Sequence, residues 1–267
     1  MIHLREVIFP VNQQGRGFPY DLPIMQDCSK IQFANPVTFF VGENGSGKST
    51  ILEAIALSYN AVTIGSSEVY GDKTLGHLRA FANDLSLVWT QKNRKGFFLR
   101  AEDFFGYINR LHLQRQDMKA DLQRIEKEYK GRSTFAKMQA QTPALSGLSD
   151  IEHRYGERGL DGYSHGESFL TLFQNRFVPG GLYLLDEPEV PLSPLRQLSL
   201  IAMLKSMVDQ ESQFIICTHS PILMAFPDAK IYCFDDGKIT EPSYDELEHV
   251  NLTRDFLNNP KAFLRHL

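Results

Sequence analysis

Residues 42–50 read Gly42-Glu43-Asn44-Gly45-Ser46-Gly47-Lys48-Ser49-Thr50, the spacing G-x-x-x-x-G-K-[ST]. The apolar run Pro36-Val37-Thr38-Phe39-Phe40-Val41 precedes it, and Ile51-Leu52-Glu53-Ala54-Ile55-Ala56-Leu57 follows with a helical pattern. A strand, a glycine-rich loop and a helix in that order predict a phosphate-binding loop rather than an ordinary turn. The glycines let the backbone turn tightly, so amide hydrogens converge and the helix N-terminus adds its partial positive charge. In such a loop Lys48 reaches the β- and γ-phosphates of a nucleoside triphosphate, and Ser49 ligates Mg²⁺.

Composition sets the frame for that loop. With 267 residues, the chain can build one large α/β domain or a core with a smaller lobe. A hydrophobic share of 42% and a charged share of 22% place it among ordinary globular proteins rather than disordered or membrane chains. The net charge of −4 provides no global basic field for nucleic acid or anionic lipid. Cys28, Cys217 and Cys233 lack metal-binding spacing, and the last two lie in apolar runs that predict buried thiols. An odd cysteine count fits a reducing compartment, which gives a cytoplasmic expectation. Neither a signal peptide nor a membrane-spanning stretch is expected.

Along the chain, Ile2, Leu4, Val7 and Phe9 predict a first strand and Ile31-Gln32-Phe33 a second. Residues 60–76 are small, polar and glycine-containing, which predicts a mobile loop. Leu85–Gln91 and Gly96–Arg100 flank Lys92-Asn93-Arg94-Lys95, a pattern that predicts a β-hairpin with a cationic, solvated tip. Leu111, Met118, Leu122, Ile125 and Tyr129 predict a helix from Tyr107 to about Lys130, whereas 131–162 reads as loop-rich. From Ser164 onward the α/β rhythm returns. Strands are expected at Gly181–Leu185, Gln213–Cys217 and Lys230–Phe234, with helices at Leu195–Val208 and Leu252–Leu267.

Three further motifs narrow the chemistry. Leu182-Tyr183-Leu184-Leu185-Asp186-Glu187-Pro188 is a buried-type strand ending in two carboxylates. Asp186 is placed to hold a Mg²⁺ water shell beside Ser49, and Glu187 to polarise an attacking water. Ser164-His165-Gly166-Glu167-Ser168 opens a helical stretch about twenty residues earlier; taken alone, that sequence also serves as a helix cap. Phe214-Ile215-Ile216-Cys217-Thr218-His219-Ser220-Pro221 is a core strand ending in a histidine.

In that order the motifs resemble the ABC-ATPase superfamily, most closely small bacterial ATPases related to the RecF and SMC-type repair enzymes. The resemblance runs over essentially the whole chain. It implies an α/β fold of three layers: a P-loop NTPase core with a mainly parallel sheet (about 1–104 and 176–267), an antiparallel β-lobe and a small helical lobe (about 105–175). ATP and Mg²⁺ are the implied ligands and ATP hydrolysis the implied activity. Residues Gly42 to Thr50 would hold the phosphates. Asp186 and Ser49 would hold the metal, with Glu187, His219 and Lys48 catalytic.

Ser164, Gly166 and Glu167 would form the signature that reads the γ-phosphate of a second chain, which implies an ATP-dependent, head-to-tail homodimer. Departures from the transporter form Leu-Ser-Gly-Gly-Gln occur at Tyr163, His165 and Glu167; Glu at the last position resembles the repair branch. Leu192-Ser193-Pro194 resembles the D-loop without its aspartate. No Gln follows Arg100-Ala101, so Glu102 is taken as the replacement near Mg²⁺. Phe18 and Tyr20 are aromatic candidates near the base, and neither is assigned. The output of the cycle stays open among DNA repair or defence, a transporter subunit with a membrane partner, and a nucleotide-gated switch on a protein partner.

Overall fold

The computed structural model describes residues 1–10, 15–64, 74–92, 94–156 and 164–265. The chain divides into two compact units, one joining Met1–Ala101 to Phe177–Leu267 and the other spanning Glu102–Arg176. The N-terminal segment holds β1 (Leu4–Ile8), α1 (Ile24–Asp27), β2 (Lys30–Gln32) and β3 (Val37–Val41). Then come α2 (Lys48–Ser58), α3 (Arg79–Asp84), β4 (Ser86–Trp89) and β5 (Gly96–Arg100). Three helices follow: α4 (Ala101–Glu128), α5 (Thr134–Tyr155) and α6 (His165–Arg176). The C-terminal segment supplies β6 (Leu182–Asp186), α7 (Pro194–Asp209), β7 (Gln213–Cys217), α8 (Pro221–Met224), β8 (Lys230–Cys233), α9 (Glu248–Asn258) and α10 (Pro260–Leu264).

The first unit is α/β. Its main sheet has five strands in the order β5-β6-β7-β3-β8, and each neighbouring pair is parallel. Every residue of β3, β6 and β7 is buried, which is why these strands are unbroken apolar runs rather than alternating ones. One face of the sheet presents Phe40, Phe98, Leu184, Ile215 and Tyr232 to a core shared with Ile51, Leu52 and Ile55 of α2. The side chains that alternate with these form an aromatic group in which Tyr183 stacks on Phe214 and meets Phe97 and Phe177 edge-on.

A separate antiparallel sheet has the order β2-β1-β4. Gln213 ties it to the main sheet. Its buried Oε1 accepts from the His3 and Leu4 amides at 2.8 and 2.9 Å, while its Nε2 donates to the Leu4 carbonyl at 2.8 Å. This one side chain meets three buried backbone groups of His3 and Leu4.

The expected hairpin does not form. β4 pairs with β1 in the antiparallel sheet, whereas β5 runs parallel to β6 at the edge of the main sheet. Burial explains the split: Phe97, Phe98 and Leu99 are all buried, and a half-buried hairpin strand would expose alternate residues. Of the cationic stretch, Asn93 lies outside the described residues, as do 65–73 of the expected mobile loop. Ahead of that gap, Thr63 bridges to Phe98, so the start of the segment is pinned to β5.

The second unit is helical. α4 begins directly after β5, six residues before the expected start. The loop-rich expectation for 131–162 is overturned by the 22-residue helix α5. Ser133 caps it by accepting from the Ala136 amide at 3.2 Å, and Pro143 sits in its interior. Tertiary contacts outweigh the poor local propensity. Gly147 lies against the Met118 side chain of α4, Lys137 pairs with Glu126, and the Tyr107 and Tyr155 hydroxyls are 2.8 Å apart. Among the described residues no helix is long and apolar enough to cross a membrane.

Gly96 provides a test of the edge pairing. Its φ is +112°, and an added Cβ would stand 1.8 Å from the Leu182 carbonyl oxygen. We expect Gly96→Ala to destabilise the protein by about 3 kcal/mol or more, read as a lower urea midpoint with an unchanged slope.

Candidate functional site

The order of the parallel sheet gathers the motifs. In register, Asp186 lies beside Cys217, Cys217 beside Phe40, and Phe40 beside Tyr232. The C-terminal ends of β6, β7, β3 and β8 are therefore level, and the turns that follow them share one edge, where open parallel sheets bind ligands.

The phosphate loop leaves β3 at Gly42, whose φ of +132° and close neighbours exclude a side chain; an added Cβ would come 2.7 Å from Asp235 Oδ1. The same Asp235 oxygen accepts from the Glu43 amide at 2.7 Å, and the Cys233 thiol donates to Oδ2 at 2.9 Å. Asp235 thus clamps the start of the loop from the end of β8. Lys48 is buried at the start of α2, and its Nζ donates to the Gly42 and Glu43 carbonyls at 2.7 Å each. Burial lowers its pKa, and the nearby Cys217, Asp235, Glu187 and Asp186 oppose that shift. A cation already held among inward-facing loop groups is well placed to meet phosphate oxygens.

Ser49 Oγ donates to Asp186 Oδ1 at 3.0 Å, which puts a hydroxyl and a carboxylate side by side. Asp186 is buried, and its carboxyl is pushed up to about 7, chiefly by loss of solvent; the Ser49 hydroxyl pulls the other way, while Glu53 and Glu187 add to the rise. Arg100, at the end of β5, holds Glu53 at 3.3 Å and reaches Thr74 at the same distance. This ties α2 to the edge strand beneath the site. Among the described residues no group of three or more His, Cys, Asp or Glu could form a protein-only metal cage. One hydroxyl and one carboxylate fit Mg²⁺, which completes its shell with phosphate oxygens and water.

Glu187 follows Asp186 in a left-handed conformation with φ of +51°, and its amide donates to the Cys217 carbonyl at 2.9 Å. The turn lifts its side chain out of the sheet, leaving it 43% exposed beside His219, which is 41% exposed; Glu187 Oε1 and His219 Nε2 are 3.9 Å apart. The His219 amide donates to Glu189 Oε1 at 2.7 Å. The structure therefore brings Lys48, Ser49, Asp186, Glu187 and His219 to one sheet edge. It adds Asp235 and Glu189, neither of which the sequence reading singled out. The signal for Asp235 was present, because it follows the apolar strand Ile231–Phe234 as Asp186 follows Leu182–Leu185.

Ser164, Gly166, Glu167 and Glu102 lie on the second unit. There the Ser164 amide and hydroxyl both donate to Glu167 Oε2, at 3.2 and 3.0 Å, at the head of α6. Glu167 thus reaches back to the Ser164 amide, the carboxylate half of the cap that the sequence permits. Glu102 is exposed in the first turn of α4. Tyr163 lies outside the described residues. The two aromatic candidates separate clearly. Tyr20 is buried, donates to Asp84 Oδ2 at 2.7 Å and meets Phe81 edge-on, so it packs. Phe18 is 53% exposed, with its ring 5.7 Å from that of His77.

Residues 19–68, which include the whole phosphate loop, match the family model described as an AAA domain. The matched stretch runs from before α1 to beyond α2. Among solved structures, the chain is similar to the Smc head domain from Pyrococcus furiosus bound to the C-terminal domain of ScpA, at 13% identity and a TM-score of 0.47, covering 96% of this chain and 100% of that one. It is similar to the ADP conformation of an ATP-binding cassette of an ABC transporter at 15% identity and a TM-score of 0.49, covering 96% of each chain. It is also similar to the SMC head domain from Thermotoga maritima at 18% identity and a TM-score of 0.44, covering 91% of this chain and 99% of that one. No curated protein matches.

The buried Asp186 makes stability depend on pH. An unfolded Asp titrates near about 3.9, whereas in the fold this carboxyl titrates at about 7. Between those values the folded chain holds the extra proton, so stability falls as pH rises across the window and levels off above it. Asp186→Asn removes this contribution. In urea titrations without nucleotide, the variant should gain on the wild type by more at pH 8 than at pH 5.

Proposed function

We propose that the chain is an ABC-type ATPase that binds ATP with Mg²⁺ and hydrolyses it to ADP and phosphate. The observation that carries this reading is the convergence on one sheet edge of the Lys48 loop, the Ser49–Asp186 pair and the Glu187–His219 pair. Lys48 exchanges its loop carbonyls for the β- and γ-phosphates. The loop amides and the N-terminus of α2 take the remaining charge. Glu187, held outward by its left-handed backbone, orients a water in line with the γ-phosphorus. His219 stands beside it to donate to the γ-phosphate oxygens as charge develops there. Ser49 and Asp186 are the residues that would hold Mg²⁺, which neutralises charge on the β- and γ-oxygens when bound.

The reading extends to assembly. A Ser-x-Gly-Glu helix start suits an anion, and in this scheme Ser164 and Gly166 of one chain meet the γ-phosphate held by another. Two chains would then close head-to-tail on two nucleotides and separate after hydrolysis. The Glu at position 167 and the repair-like motif order support a DNA-linked output for the cycle.

The direct test is steady-state ATP hydrolysis by the purified protein, with and without duplex DNA, using Glu187→Gln as the blank. Turnover should fall by at least about a hundredfold in the variant, and DNA should raise the wild-type rate. The variant should also sediment as a dimer at saturating Mg-ATP. A Glu187→Gln protein that stays monomeric there would overturn the sandwich, and turnover equal to the blank would overturn the ATPase reading.

A further inference from the structure

We infer that Glu189 is a positioning residue that sets the His219 turn against Glu187, and so controls the γ-phosphate end of the site. The inference rests on the ATPase reading for its catalytic consequence. It starts from where the carboxylate lies. Glu189 is two residues beyond Glu187, yet its side chain crosses to the turn after β7 and accepts the His219 amide at 2.7 Å. The Thr218 hydroxyl lies against the same carboxylate and accepts the Ser220 amide at 3.0 Å. One carboxylate and one hydroxyl therefore fix the backbone on both sides of His219.

The arrangement is costly, which argues that it is held for a purpose other than solvation. Glu189 Oε2 is buried, and burial raises the pKa of the carboxyl against the bonds from Thr218 and the His219 amide. Such a carboxylate is tolerated only where its contacts outweigh the lost water. The imidazole, by contrast, is half exposed and only 3.9 Å from Glu187, with no other side chain fixing it in the described contacts. Its position is inherited from its backbone, and the backbone is fixed from Glu189. Since Glu187 and Glu189 leave the same strand end, the tie makes the acidic turn and the histidine turn move as one piece.

The test compares Glu189→Ala with Glu189→Gln in steady-state ATP hydrolysis. Glu189→Ala should lower kcat by about tenfold or more while KM for ATP stays within about threefold, because only alignment at the γ-phosphate is lost. Glu189→Gln, whose amide oxygen still accepts from the His219 amide, should restore most of that loss. In a His219→Ala background, Glu189→Ala should cost no further activity, since both act through one group. Equal costs in the two backgrounds, or a KM that rises in step with the fall in kcat, would overturn the proposal. Should Glu189→Ala fail to fold, Glu189→Asp, which withdraws the carboxylate by one methylene, takes its place with the same expectations. A second readout is independent of turnover: hydrogen exchange of the His219 amide should quicken at least about tenfold in Glu189→Ala. If the wild type hydrolyses no more ATP than Glu187→Gln, the ATPase reading fails. The exchange rate then decides the positioning alone, and an unchanged rate overturns it.

Discussion

The placement of β3 between β7 and β8 is the constraint on which the site depends. Parallel pairing fixes register, and the register sets Phe40, Cys217 and Asp186 side by side. With those positions fixed, the loop that leaves β3 opens beside the carboxylates that end β6. The turn that leaves β7 delivers His219, and the end of β8 delivers Asp235 to the loop's first amide. Four separate stretches of sequence meet because each belongs to a strand ending at the same height. Ser49, Glu187 and His219 are each held by a partner from another stretch of the chain.

Charge is gathered at this edge against the cost of burial. Asp186 and Lys48 are both buried, and the environment moves each pKa toward its neutral form. Loss of solvent is the first cause of both shifts. Beneath them, the Arg100–Glu53 pair anchors α2 with a partly buried ion pair rather than an apolar contact. Its weight is geometric: it joins the edge strand to the helix that carries Lys48 and Ser49. The backbone contributes as well, since Glu187 accepts a left-handed conformation that a non-glycine residue seldom adopts.

The core of this arrangement was legible in the sequence because parallel buried strands write themselves as apolar runs that stop abruptly. Val37–Val41, Leu182–Leu185 and Phe214–Cys217 each end at the residue where chemistry begins. The same logic, applied to Phe97-Phe98-Leu99, would have separated β5 from β4. Nearness in sequence and a cationic connection suggested a hairpin instead, while β5 was already too uniformly apolar for one. Helix α5 was missed for a different reason. Its Gly, Ser, Thr and Pro content disfavours helix locally, and the contacts that overrule this, such as Met118 against Gly147, exist only after folding. Glu189 carries no motif, and Asp235 is marked only by the end of its apolar strand. Their partners, the His219 and Glu43 amides, lie 30 and 192 residues away in the chain.

The interleaving of the two chain segments has a consequence for how the protein is made. β3 and its loop are made well before both partners of β3, which come from the far segment: β7 begins at Gln213 and β8 at Lys230. Until those residues exist, Val37–Val41 is an apolar strand with two bare edges, the kind of segment that pairs wrongly when exposed. Long-range parallel pairing also folds slowly. The helical unit Glu102–Arg176 is synthesised in the interval and rests on its own near-neighbour contacts. The glycine-rich loop is thus made well before the strands that flank β3, and its supporting sheet closes only once Gln213–Cys217 and Lys230–Cys233 have followed.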